Sequence, residues 1–142
     1  MNDVEVGRVE KPWGHELHWA LTDRYCGKVL VVRAGEQLSL QYHELKDETI
    51  YVQAGRVEIE IGQREGALSS EIAGPGRSFH LPPGTVHRIR ALEDATLLEA
   101  AYWTGMVHDA RKDPRAALTA YRAFQAGYDE KKASGATSKE ED

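Results

Sequence analysis

The chain has 142 residues and a mass of 15.8 kDa, which is the size of one domain with its own core. Its net charge of −5 and its lack of a basic run disfavour a nucleic-acid-binding protein. No apolar stretch approaches the roughly 18 residues of a membrane span, and the first residues do not resemble a secretion signal. The single cysteine, Cys26, excludes an intramolecular disulfide and a zinc–thiolate cluster, so we expect a cytoplasmic protein.

The N-terminal residues are polar, and we expect residues 1–10 to form an arm before the folded domain. From about residue 16 to residue 101, short segments rich in Val, Ile, Leu and Tyr alternate with glycine and proline turns. The predicted strands are 28–33, 38–43, 49–53, 56–61, 78–81, 86–91 and 95–102. Many short strands at even spacing predict an all-β sandwich or barrel, here over residues 11–104.

The composition changes after residue 104. Asp113 and Pro114 are typical of a helix start, and Gly127 is typical of a helix end. Apolar residues recur between them at helical spacing, namely Ala117, Leu118, Tyr121 and Phe124. We therefore predict a C-terminal helical segment within residues 105–128 that docks on the barrel, at its mouth or at an edge strand. Residues 129–142 are expected to be disordered.

Four polar residues are candidates for binding one divalent metal ion. If residues 38–43 form a strand, Gln41 and His43 project from the same face, about 7 Å apart. Glu48 follows five residues later, and His87 follows a tight Pro-Pro-Gly turn. Two nitrogen and two oxygen ligands without a thiolate suit zinc, manganese, iron, nickel or cobalt.

These residues fit two motifs of the cupin superfamily of small β-barrels, which the chain resembles over residues 11–103. The first motif consists of Gly35, Gln41, His43, Glu48 and Gly55, with the gaps of the family. The second motif consists of Gly76, Pro82, Gly84 and His87. The resemblance implies a single-domain cupin β-barrel of the jelly-roll type, here with a C-terminal α-helix. Two positions depart from it: Gln41 replaces a histidine, and Ala91 replaces an asparagine.

The glutamine directs the comparison to one branch of the superfamily. The run Ser39-Leu40-Gln41 resembles the mannose-6-phosphate isomerases, especially the isomerase domain of the type II enzymes. The opening at residues 11–14 is similar to theirs, whereas the residues after Glu48 and after Tyr102 differ. This resemblance implies a divalent metal ion, zinc first, held by Gln41, His43, Glu48 and His87. It also implies an anionic sugar as the ligand.

An aldose–ketose isomerase needs a base besides its metal, which stabilises the enediol. Glu99 matches a glutamate in the branch's last strand, and Lys28 matches a lysine in its second strand. We predict both as catalytic residues. Lys28 shares its strand face with Leu30 and Val32, so we expect it to point inward toward Glu99 or the substrate.

Two other functions fit the same residues. His43, Glu48 and His87 form the two-histidine, one-carboxylate set of iron-dependent oxygenases. A non-catalytic cupin that senses or stores a small ligand is the other alternative. We further expect a homodimer, a small-molecule substrate, and no nucleic-acid or membrane partner.

Some polar residues are expected to serve other purposes. Arg88 and Arg90 should face outward, and His18 is a candidate for the pocket mouth. His80, next to the turn, either lines the mouth or is exposed to solvent. Cys26 should be a small buried residue, because no nucleophile signature surrounds it.

Overall fold

The computed structural model describes residues 3–64 and 66–103, which form nine strands and no helix. The strands are β1 (Gly7–Lys11), β2 (Gly14–Leu21), β3 (Tyr25–Val32), β4 (Lys46–Ala54), β5 (Val57–Gly62), β6 (Ser69–Ala73), β7 (Ser78–Leu81), β8 (Val86–Ala91) and β9 (Ala95–Trp103). One sheet has the order β1-β2-β3-β9-β4-β7, and the other has the order β6-β5-β8. The all-β fold class is confirmed, while the predicted C-terminal helix and tail lie outside the described residues.

The core lies between the two sheets because the inward residues of each strand are aliphatic. On β5, Val57 and Ile59 are about 1% exposed, whereas Glu58 and Glu60 are half-buried, as the alternation predicts. Leu30 and Val32 of β3 are buried in the same cluster as Leu97 of β9. Across the described part of the chain, no helix has the length and hydrophobicity needed to cross a bilayer.

The strand register places polar residues side by side on the inner face of the larger sheet. Lys28 of β3 pairs with His18 of β2 on one side and with Glu99 of β9 on the other. One inward position further along, Leu30 pairs with Leu97 and completes the apolar core. The sheet therefore presents an apolar end and a polar end to the interior.

The predicted strand at residues 38–43 is wrong. This segment crosses between the sheets and meets β8 only at isolated bridges, including Gln41 with His87. Gln41, Tyr42 and His43 are all buried, so the expected alternation of two faces is absent. Because the contacts with β8 are backbone bonds at separate points, no continuous ladder forms.

Three strands, β1, β2 and β6, have no counterpart among the predicted ones. β1 and β6 both lie at sheet edges, and nearly all of their residues are exposed or half-exposed. They are held by backbone hydrogen bonds to β2 and β5. Strands without a buried face carry no hydrophobic alternation, so residue patterning does not reveal them.

Glycine is required at the turn between β4 and β5. Gly55 has a φ of +81°, and a Cβ atom there would overlap the carbonyl oxygen of Asp94. Gly35 has a similar φ of +84°, but open space surrounds its Cα. The two positions therefore share the same backbone conformation and differ in the crowding that a side chain would meet.

Substituting these glycines separates the two effects. We expect Gly35→Ala to lower the free energy of unfolding by about 1–2 kcal/mol, because of its left-handed backbone alone. Gly55→Ala should cost more, because the backbone at Asp94 must also move. Urea unfolding of both variants measures the difference, and equal costs would show that crowding at Gly55 is unimportant.

Candidate metal centre

Three buried side chains from different parts of the chain converge at the polar end of the interior. His43, Glu48 of β4 and His87 of β8 each offer a ligand atom, and these atoms lie within 4.8 Å of one another. Oε1 of Glu48 is 3.0 Å from Nε2 of His87 and 3.8 Å from Nε2 of His43. The three residues are 3–5% exposed, so the cluster is shielded from water.

Backbone bonds bring the fourth predicted ligand to the same place. The amide of Gln41 donates to the carbonyl of His87, and the amide of His87 donates to that of Gln41. The amide of Gly84 donates to the carbonyl of His43 at 2.7 Å, which ties the tight turn to the first motif. Gln41 is itself buried, and its Nε2 donates a long bond to the carbonyl of Ser39.

The tautomer of His87 provides a test of whether a cation fits. Its Nδ1 lies 3.1 Å from the carbonyl oxygen of Thr85, which can only accept, so Nδ1 carries the hydrogen. In the neutral ring, Nε2 then directs a lone pair at the carboxylate of Glu48. Two acceptors 3.0 Å apart need a shared proton or cation.

The charge state of Glu48 also fits a cation. Burial alone would raise the pKa of Glu48, but the Lys46 ammonium, 3.4 Å from Oε2, acts together with Glu99 and His87 to hold the pKa well below its usual range. Oε2 is buried and accepts no hydrogen bond from any residue in the described ranges. A carboxylate held ionised beside two imidazoles, with no thiolate, suits a divalent metal ion of the zinc, manganese or iron group.

A second carboxylate lies next to this cluster. Glu99 points inward as expected, with Lys28 Nζ 3.9 Å from Oε2 and Lys46 Nζ 3.8 Å from Oε1. Burial and the negative charge of Glu48 raise the pKa of Glu99 to about 7, although both lysines oppose this. The structure thus brings the two predicted catalytic residues together and places them beside the three metal-ligand candidates.

The polar cluster continues to β2 through His18, the candidate for the pocket mouth, and through Glu16, which the sequence did not single out. Glu16 Oε1 is 3.6 Å from Lys28 Nζ and 2.8 Å from His18 Nε2. Burial would lower the pKa of Lys28, but Glu99 and Glu16 outweigh it and raise the pKa. His18 is the outermost member, with 17% of its side chain exposed.

Lys46 and Glu16 are therefore the residues that sequence reasoning missed. Lys46 lies two residues from Glu48, and Glu16 lies two residues from His18, so each shares a strand face with a residue that the sequence had selected. This two-residue spacing was the signal that could have found them. Buried lysines and glutamates are rare without partners, and these two have theirs inside the barrel.

The remaining expectations about polar residues are confirmed. Arg88 faces outward and pairs with Glu60, and Arg90 is exposed. His80 is exposed, with its Nε2 2.6 Å from Oδ1 of Asp47 on the outside of the larger sheet. Cys26 is buried beside Ala101 and Trp103.

The ion pairs of Glu16 predict a specific pH dependence. Burial opposes ionisation, but His18 and Lys28 lower the pKa of Glu16 from 4.5 to about 2. Its contribution to stability is thus fully present above pH 4.5 and is lost as the pH falls toward 2. We expect Glu16→Gln to cost about 3 kcal/mol at pH 6 and progressively less from pH 4.5 to pH 3, measured by urea unfolding.

Glu36→Gln, at an exposed position, is the matched control. A cost of Glu16→Gln that stays constant across this pH range would contradict the ion-pair assignment.

Comparison with known proteins identifies the fold. The chain is similar in structure to KdgF from Halomonas sp., with a TM-score of 0.59 and 25% identity over 70% of this chain and 86% of that one. It is also similar to a variant of the oxalate decarboxylase of Bacillus subtilis, with a TM-score of 0.61 and 19% identity over 71% of this chain. The capsular polysaccharide assembling protein CapF from Staphylococcus aureus gives a TM-score of 0.60 and 17% identity over 72% of this chain.

The chain spans 28% of the oxalate decarboxylase and 31% of CapF, so these two likenesses concern the fold of one domain. No curated protein matches the sequence. The cupin domain family matches residues 28–100, which include both motifs and every candidate site residue. The chain therefore belongs to the cupin domain family.

Proposed function

We propose that this cupin is a metal-dependent enzyme of the sugar or sugar-phosphate isomerase kind, similar to mannose-6-phosphate isomerase. The observation that carries the proposal is the position of Glu99. It is a buried carboxylate outside the metal-ligand candidates, held between two lysines and next to Glu48. A general base in this place is what an aldose–ketose isomerisation requires in addition to its metal.

The residues divide the work of this reaction. Gln41, His43, Glu48 and His87 would hold the metal ion, which when bound polarises the carbonyl and hydroxyl oxygens of a substrate. Isomerisation moves one proton between adjacent carbons. Glu99 would accept that proton from one carbon and return it to the next, while the hydroxyl proton passes from one substrate oxygen to the other, so the reaction needs no oxidant. Lys28 and Lys46 fix the position of its two oxygens.

The charges inside the barrel support an anionic substrate. Two buried carboxylates, from Glu16 and Glu48, balance two buried ammonium groups, from Lys28 and Lys46, and Glu99, with a pKa of about 7, adds at most one negative charge. A bound divalent ion would therefore leave a net positive charge whether Glu99 is protonated or not. Because the whole chain carries −5, an anion must be attracted by these local groups.

An iron-dependent oxygenase is the second candidate. His43, Glu48 and His87 by themselves form the two-histidine, one-carboxylate set of such enzymes. That chemistry assigns no role to the Glu99–Lys28 pair, which is why we place it second. Iron in the purified protein together with oxygen uptake would favour it.

Metal content tests the first half of the proposal. We expect stoichiometric zinc or a related divalent ion in the purified protein, and its loss in His87→Ala, because one of the three closest ligands is removed. His80→Ala is the matched control, since His80 is an exposed histidine outside the cluster. Elemental analysis measures both, and equal metal content in the two variants would contradict the site.

Turnover tests the second half. The assay uses mannose 6-phosphate first and then a panel of phosphorylated and free sugars. We expect Glu99→Gln to lose activity by about 10²- to 10⁴-fold, because the base is removed, while its metal content stays that of the wild type. Glu93→Gln, at an exposed loop position, should match the wild type. Unchanged turnover in Glu99→Gln would remove Glu99 from the mechanism.

A further inference from the structure

The outer face of the larger sheet carries an open cleft of about 410 Å³ that the metal centre does not use. Its walls include Trp19, Tyr25 and Tyr102, which are 51%, 54% and 44% exposed. All three are large aromatic side chains on strands whose other face forms the barrel interior. Exposed aromatic rings grouped in one cleft are typical of a surface that another segment or molecule covers.

The local structure holds this cleft open in a defined shape. The indole of Trp19 lies against β3 at Gly27, where a Cβ atom would overlap the ring. The absence of a side chain at this position lets the ring pack directly on the sheet. Trp19 is thus a fixed wall of the cleft, although half of its surface is exposed.

The cleft also carries a negative group. Asp47 and His80 form an exposed pair at its rim, with 2.6 Å between Oδ1 and Nε2. The barrel around the cleft is acidic, since residues 1–103 hold 11 Lys and Arg against 16 Asp and Glu, which accounts for the whole net charge of −5. Aromatic faces beside an acid favour a basic and partly apolar occupant.

The segment that follows β9 has this chemistry. Residues 113–124 hold Arg115 and Arg122 against one acidic residue, Asp113, and two more basic residues, Arg111 and Lys112, come directly before them. Leu118, Tyr121 and Phe124 recur at three-residue intervals. Position favours it as well, because Ala101 and Tyr102 of β9 line the cleft just before this segment begins. The nine residues 104–112 reach about 30 Å when extended, enough to turn back along the cleft.

We propose that residues 113–124 of this chain dock in the cleft, with their apolar face on Trp19, Tyr25 and Tyr102 and their basic residues beside Asp47. This site is neither the barrel mouth nor an edge strand, the two positions that the sequence left open. The segment covers the outer face of the larger sheet, and the proposal is independent of the metal centre.

Tryptophan fluorescence tests the proposal in the full chain. Trp13 and Trp103 are 3% and 6% exposed, so acrylamide reports mainly on Trp19. We expect Leu118→Ser with Phe124→Ser to raise the quenching constant by about twofold, because the ring loses its apolar cover. Ala123→Ser with Ala126→Ser, on the opposite face of the predicted helix, should leave it unchanged. Equal quenching in both variants would overturn the proposal.

Cross-linking keeps the test decisive if the serine variant unfolds. In a Cys26→Ala background, Thr49→Cys in the cleft and Tyr121→Cys should be joined within one chain by a short bis-maleimide. Arg90→Cys, exposed on the other sheet, replaces Thr49→Cys as the control and should give no such product with Tyr121→Cys. Absence of the Thr49–Tyr121 product would overturn the proposal. A cross-linked dimer would show that a second copy occupies the cleft, and so would protection of Trp19 that disappears on dilution. Either result would overturn the proposal.

Discussion

The structure depends on the pairing of charges buried inside the barrel. Removing an ion from water costs several kcal/mol, and five ionisable side chains are buried here at the polar end. Each is tolerated because the strand register sets an opposite charge beside it, with Lys28 between Glu16 and Glu99 and Lys46 between Glu48 and Glu99. A shift of one residue in β3 or β9 would turn these side chains to the outside and separate the pairs. The register and the site therefore specify one another.

This constraint also explains why the interior has two ends. Apolar side chains such as Leu30, Val52 and Leu97 form the core that supplies most of the stability. At the polar end, the attraction between the paired charges does little more than offset the cost of removing them from water. Stability therefore does not explain this end of the interior, and function does. Two imidazoles meet a carboxylate there with no ammonium group between them, and the tautomer of His87 leaves a place for a cation. Next to that place, Glu99 is oriented by two lysines.

Much of this could be predicted because it is encoded by spacing. The motif gaps placed His43, Glu48 and His87 together, the position of Lys28 on the face of Leu30 and Val32 predicted that it points inward, and the family resemblance singled out Glu99. The fold class followed from short strands and glycine turns. Lys46 and Glu16 were missed because a single charge in a strand usually faces solvent, and only the register shows that these two meet partners inside. The edge strands β1 and β6 were missed because backbone bonds, rather than buried side chains, hold them. The crossing segment at residues 38–43 has strand-like composition but contacts β8 only at separate points.

Crystals grown with zinc show whether the buried charges organise a metal site, because anomalous scattering at the zinc edge locates the ion without any assumption about the reaction. We expect one strong peak between Nε2 of His43, Nε2 of His87 and the carboxylate of Glu48, with Lys46 and Glu99 remaining in their paired positions. A peak at the exposed Asp47–His80 pair and none in the interior would contradict it, because the buried charges would then have no metal to organise.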